Sequence, residues 1–266
     1  GGNDTAMLDF SATSSSVGIA VGASTFSMQG GNSTVQLYDV ENVTVFGGSG
    51  DDNLRWSSGN NLLVGNDGND TLTGGAGNDS LSGGTGNDSL TGGSGNDTLY
   101  GGSGDDEAVY LGNRSGYLVA RVSGGFSVTD SVGTEGTDAI SDIETLVFTD
   151  GRYALDVDGN LTYINNAPTG AVTITGTPTQ GQTLTASNTL ADADGLGAVA
   201  YQWLADGSVI AGATAITLVL AEAQVGKAIT VTGSYTDGHG TTETLTSNAT
   251  AAVANANDAP TGSVTI

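Results

Sequence analysis

The sequence predicts an all-β protein in two parts, a parallel β-roll with β flanking modules and, after it, a β-sandwich. Three observations lead there. One nonapeptide is written seven times without a gap from Gly47 to Val109, alternating apolar runs parted by turn residues fill positions 165–255, and positions 1–46 hold short β-branched runs with no helical period.

Positions 1–46 come first. Gly1 to Met7, GGNDTAM, fits places three to nine of a repeat whose beginning is missing, so the chain reads as a piece of a longer protein. The run Asp39, Val40, Glu41 has a sibling at Asp142, Ile143, Glu144, and Phe46 and Phe148 follow at similar offsets. The segments 1–46 and 110–164 are therefore expected to be related modules that continue and cap the coil, since a solenoid must close its open ends.

Positions 47–109 read GGSGDDNLR, WSSGNNLLV, GNDGNDTLT, GGAGNDSLS, GGTGNDSLT, GGSGNDTLY and GGSGDDEAV. The sixth place holds Asp52, Asn61, Asp70, Asp79, Asp88, Asp97 and Asp106; the eighth holds Leu54, Leu63, Leu72, Leu81, Leu90, Leu99 and Ala108. Glycines at places one, two and four suit a six-residue reversal with positive φ, leaving three residues as a short strand. Two reversals restore the chain direction, so turns two repeats apart stack at about 4.8 Å. That puts Asp70 beside Asp52 and Asp88, and Asp79 beside Asn61 and Asp97. Stacked carboxylates repel unless a cation sits between them. Turn carbonyls, from Gly65, Gly74, Gly83, Gly92 and Gly101 at place one and Asp67, Ala76, Thr85 and Ser94 at place three, can complete an all-oxygen shell, which suits calcium better than zinc or copper. A buried Leu contributes about 1.5–3 kcal/mol, whereas fixing nine backbones costs about 1–2 kcal/mol each. Leucine alone does not hold such a coil, and metal binding is expected to be coupled to folding, with about five ions in the roll.

This run resembles the RTX, or haemolysin-type, calcium-binding repeat. The resemblance implies a calcium-loaded β-roll and export by type I secretion, hence a secreted or extracellular protein at the cell surface of a Gram-negative bacterium. The segment Val109 to Leu155, with NRSGYLV and SVTDSVGTEGTDAISDIETLVFTDG, resembles the region that commonly follows such repeats. There Asp138, Asp142, Glu144 and Asp150 read as surface turns, with at most a terminal calcium, because no acid, base or nucleophile is spaced to work with them. Asp156 and Asp158 read as a hairpin loop.

In 165–255 six or seven short strands with turns every 8–12 residues read as a sandwich. Tyr201, Gln202 and Trp203 resemble the strand carrying the buried Trp of immunoglobulin-like domains, with a core expected on Trp203, Leu204 and Val231. Asn257 to Ile266 copies the start of this segment, so 256–266 reads as a linker and the first strand of a next immunoglobulin-like or cadherin-like adhesin repeat. Asp192, Asp194 and Asp258 resemble the calcium linkers of cadherin repeats, although an acidic turn is the plainer reading. The last strand could pair with a neighbouring molecule.

Acids outnumber bases 29 to 5 and the formal charge is −24. Such a chain does not attract nucleic acid or anionic lipid through its general field. There is no Cys, which excludes disulfides and thiolate chemistry, and no run of eighteen apolar residues to span a membrane. His239, the one histidine, stands in the turn DGHGT and reads as a solvent-facing loop residue. The sequence thus reads as a non-enzymatic, calcium-dependent structural or adhesive segment, a stalk or fibre whose partner is an unidentified adhesive target or another copy of itself. Two rivals stand beside it: an accessory module of a secreted enzyme with its catalytic domain elsewhere, and a surface-layer or matrix subunit.

Overall fold

A computed structural model describes residues 5–12, 18–22, 25–29 and 42–256. The first four residues of the broken repeat, Asp39 to Glu41, and the terminal strand with Asp258 lie outside the described residues. The chain divides into two compact units, Gly1–Ile164 and Asn165–Ile266.

In the first unit β1 (Thr5–Asp9), β2 (Gly18–Gly22), β3 (Thr25–Gln29) and β4 (Asn42–Phe46) precede the repeats. The repeats give β5 (Asn53–Arg55), β6 (Leu62–Asp67), β7 (Thr71–Ala76), β8 (Ser80–Thr85), β9 (Ser89–Ser94), β10 (Thr98–Ser103) and β11 (Glu107–Val109). After them come β12 (Tyr117–Val122), β13 (Gly125–Asp130), β14 (Thr137–Ser141), β15 (Thr145–Phe148), β16 (Gly151–Leu155) and β17 (Leu161–Tyr163). Successive repeats alternate between two sheets. One runs β1-β4-β6-β8-β10-β14-β13-β12 and the other β17-β16-β15-β11-β9-β7-β5-β2-β3.

Register follows from the eighth place. Val45, Leu63, Leu81, Leu99 and Ile140 lie opposite one another across one sheet, and Leu54, Leu72, Leu90, Ala108 and Leu146 across the other. Every one of these side chains is buried, because a one-residue slip would turn the whole apolar set outward. At the carboxyl end the pairing turns antiparallel, through β14-β13-β12 and β15-β16-β17, and Tyr110, Tyr117 and Phe148 pack as an aromatic plug with centroids 5.0–5.6 Å apart.

Two expectations need correction. Strands β6 to β10 have six residues, not three, because pairing continues into the glycines of the next turn, with Gly84 opposite Gly102. Positive φ is confined to places two and four, as at Gly84 (122°) and Gly86 (120°). The first-place glycines have no positive φ, so their reason is different and belongs to the site.

The second unit holds β18 (Val172–Thr175), β19 (Thr183–Asn188), β20 (Ala200–Ala205), β21 (Ser208–Val209), β22 (Thr217–Val219), β23 (Ile229–Thr236) and β24 (Thr242–Thr246). They form two antiparallel sheets, β18-β19-β22 and β21-β20-β23-β24. Between them lie Leu184, Trp203, Ala205, Leu220, Ile229 and Val231, and the Trp203 indole N–H donates to Ala215 O at 2.8 Å. Leu204 is only half-buried. Strand alternation puts it on the face opposite Trp203, and Ala205 takes the inward place expected of it.

Candidate metal centre

The turns are tied together by two side-chain ladders running in opposite directions. At the sixth place the backbone N–H donates to the carboxylate two repeats later: Asp52 to Asp70 Oδ1, Asp70 to Asp88 Oδ1, Asp79 to Asp97 Oδ1 and Asp88 to Asp106 Oδ1, all at 2.7–2.8 Å. At the fifth place the N–H donates two repeats back, as from Asn78 to Asn60 Oδ1 and from Asn96 to Asn78 Oδ1. The fifth-place ladder went unnoticed in the sequence, although its signal was there as Asn or Asp in every repeat, Asp51 to Asp105.

One carboxylate oxygen per turn is thus taken up by a backbone amide. The neighbouring carboxylates are therefore relayed through the backbone and do not face each other as bare pairs. The second oxygen has no such partner. Oδ2 of Asp70, Asp79, Asp88, Asp97 and Asp106 is buried without any hydrogen-bond donor, in residues no more than 3% exposed. Burial pushes Asp70 up to about 7 and Asp79 and Asp88 to about 6, and raises Asp97 and Asp106, each partly offset by the amide bond to Oδ1. An oxygen in that position demands a proton or a cation.

Asn61 shows which atoms surround the position. Its Nδ2 donates to Ser58 O at 3.4 Å, Gly59 O at 3.1 Å and Gly74 O at 3.2 Å. Those are carbonyls of the third and fourth places of its own repeat and of the first place two repeats on. Where Asp stands at place six an acceptor meets acceptors, and a cation, or at lower pH a proton, reconciles them. The all-oxygen donor set fits calcium.

The first-place glycines make room for that carboxylate. A Cβ on Gly65 would collide with Asp70 Oδ2 and stand 2.7 Å from Gly83 O, and one on Gly74, Gly83 or Gly92 would run into Oδ2 of Asp79, Asp88 or Asp97. In the second repeat the place belongs to Trp56, and there the sixth place is Asn61.

The structure brings Asp70 Oδ2 and Gly83 O together at the space a Cβ on Gly65 would take, and Asn61 Nδ2 together with Gly74 O. Asp52 differs, since its Oδ2 accepts the Gly48 N–H at 2.7 Å. Of the third-place residues, Thr85 O and Ser94 O each accept a fourth-place glycine N–H, from Gly68 and Gly77, which leaves one lone pair. The Asp67 side chain faces solvent and accepts from Thr85 Oγ1.

Asp138, expected in a surface turn, is 2% exposed; its Oδ1 accepts the Asp97 N–H at 2.9 Å and burial pushes it up to about 7. Glu144 Oε2 accepts the Asp106 N–H at 2.8 Å. Asp156 closes a hairpin by accepting from Asp158 N, Asn160 N and Asn160 Nδ2. Asp194 accepts from Asn166 N and Nδ2, and Asp192 from Tyr235 Oη. Among the described residues no group of three or more His, Cys, Asp or Glu side chains is placed to hold a metal. The candidate sites of the roll each offer one carboxylate oxygen and backbone carbonyls.

Fold and site define a metal-turn β-roll, in which a short tandem repeat supplies parallel strands and its turns supply oxygen nests. Residues 46–81, 57–90 and 73–108 match the family model of the RTX calcium-binding nonapeptide repeat. Over that stretch the protein is of the RTX type, a calcium-binding structural module. No curated protein matches the chain. No helix among the described residues is long and apolar enough to cross a membrane.

Proposed function

We propose that this chain is a calcium-dependent structural and adhesive segment of a large secreted protein, working as an extracellular stalk or fibre. The observation that carries the calcium dependence is the row of buried Oδ2 atoms without donors, set beside one turn where an amide takes the metal's place. Apolar burial in the repeats amounts to one eighth-place side chain each, with Trp56 besides in the second, so the roll stays unfolded where calcium is scarce and closes where it is plentiful. Secretion in an unfolded state followed by folding outside the cell suits that property.

The adhesive part of the reading rests on the second unit. Its sheet order, three strands against four with Trp203 at the centre, supports an immunoglobulin-like repeat, and the recurrence of its first residues at 257–266 supports a tandem array. Sandwiches in series with a metal-stiffened roll resist extension. The partner is then a surface target or another copy of the chain, not nucleic acid or a bilayer.

Single-molecule stretching of the chain in calcium and in chelator tests this. A roll that resists force only in calcium, in series with a sandwich that resists it in both, supports a stalk. A roll that extends at negligible force in saturating calcium overturns it.

A further inference from the structure

The family match stops at residue 108, but the coil does not. Residues 133–141 read GTEGTDAIS, with glycine at the first and fourth places, Asp138 at the sixth and Ile140 at the eighth. Strand β14 lies on β10 as β10 lies on β8: Ile140 opposite Leu99, Leu99 opposite Leu81. Ala139 N donates to Asp97 O as Thr98 N donates to Asp79 O, both at 2.9 Å. Thr137 N to Asn96 Oδ1 continues the fifth-place ladder. A Cβ on Gly136 (φ 74°) would meet Gly95 O and Asn96 Oδ1, as one on Gly104 would meet Gly86 O and Asn87 Oδ1. From its fourth place on this is an eighth repeat, parted from the seventh by the segment 110–132; its first place departs, since a Cβ on Gly133 would meet Asp130 Oδ2 and not Asp138.

Its successor is cut short, and that bears on the metal. Strand β15 sets Leu146 against Ala108 as a ninth repeat would, yet Leu146 follows Ile140 by six positions, where successive eighth places such as Leu90 and Leu99 are nine apart. Asp142 makes the bend at φ 50°. A Cβ on Gly101 would collide with Asp142 O and stand 2.6 Å from Asp106 Oδ2, which repeats the relation of Gly65 to Gly83 O and Asp70 Oδ2. Asp142 O therefore occupies the place of a first-place glycine carbonyl. Glu144, one methylene longer than Asp, reaches back across the shortened turn to the Asp106 N–H, the bond that Asp106 Oδ1 makes to Asp88 N. Asp106 is 0% exposed and its Oδ2 has no donor.

We propose that the turn of Asp106 is a calcium site closed from outside the contiguous repeats, with Asp142 O as a ligand and Glu144 as the positioning residue that clamps the turn. It rests on the reading of the repeat turns as calcium sites. The roll's last ion and the docking of residues 133–147 are then one event, which makes the post-repeat segment a calcium-set cap.

Calcium bound per chain, counted by equilibrium dialysis and calorimetry, tests this on the parent, Asp106→Asn, Glu144→Ala, Glu144→Gln and, as control, Asp88→Asn. Asp106→Asn is expected to bind one ion fewer, its new amide serving the carbonyls as Asn61 does. Glu144→Ala is expected to weaken one ion about 10–100-fold and to delay amide protection of 142–147 to higher calcium, and Glu144→Gln, which keeps the acceptor, to restore both. An unchanged count in Asp106→Asn overturns the proposal. Should that variant not fold, unaltered affinity for every ion in Glu144→Ala overturns it. If Asp88→Asn also binds the parental number, the calcium reading of the repeats fails instead.

Discussion

At the sixth place of the second repeat an amide replaces a carboxylate, and the difference between the two groups is the whole chemistry of the roll. Asn61 donates where Asp70 to Asp106 have only acceptors to meet acceptors. Asn61→Asp, combined with Trp56→Gly so that no Cβ stands beside the new carboxylate, should therefore add one bound calcium per chain, counted by dialysis, while making the calcium-stripped roll less stable; an unchanged count in a folded double variant would be evidence against the nest. Protons compete for the same oxygens. Asp70, Asp79 and Asp88 have folded-state values of about 6–7, raised by burial from 3.8. A raised value means that the folded roll without calcium binds protons more tightly than the unfolded chain. The resulting stability is fully present below 3.8 and is lost as pH rises through about 6–7. Calcium-stripped protein should thus melt at a higher temperature at pH 4.5 than at pH 7.5, and the stabilisation that calcium adds should shrink as pH falls below about 7, because protons then occupy the same oxygens of the folded roll. Calorimetric melts across that range check both signs. The sixth-place aspartates were legible in the sequence because their period is fixed. Which oxygen is left over was not, since that depends on the amide two repeats away.

The element that repeats is a six-residue strand and a turn, and its glycines divide by cause. Places two and four need positive φ, as the sequence suggested, whereas place one needs the absence of a Cβ beside the carboxylate. Gly83→Ala separates these causes. Its backbone accepts alanine, but the new methyl would press on Asp88 Oδ2, so the calcium-bound roll should lose about 1–3 kcal/mol and need more calcium to fold, as seen by circular dichroism titration. Unchanged calcium dependence would show that the first-place glycine has another reason. The eighth repeat, 133–141, was overlooked for a different physical cause. The segment 110–132 interrupts the nine-residue register along the chain, while in space β14 simply takes the next place on β10.

The two compact units are held by different forces, and this decides how the whole molecule answers to calcium. The second unit has a closed apolar core around Trp203, with Leu184, Ile229 and Val231 fully buried, and its paired acids Asp192 and Asp194 are already met by protein donors. The sandwich was legible from alternation, and Leu204 was misplaced because adjacent apolar residues do not tell which faces inward. The roll has one buried eighth-place side chain per repeat against a formal charge of −24 on the chain, most of it Asp. Removing calcium leaves five buried carboxylate oxygens uncompensated, and each such group costs more than one leucine returns. Amide exchange in chelator should therefore show residues 47–109 unprotected and residues 172–246 protected as in calcium. Restoring calcium should recover the roll with a steep, cooperative dependence, because each sixth-place carboxylate both enters its own nest and fixes the amide two repeats below. Shallow, repeat-by-repeat recovery of protection would contradict that coupling, and protection of the roll in chelator would contradict the metal as its framework.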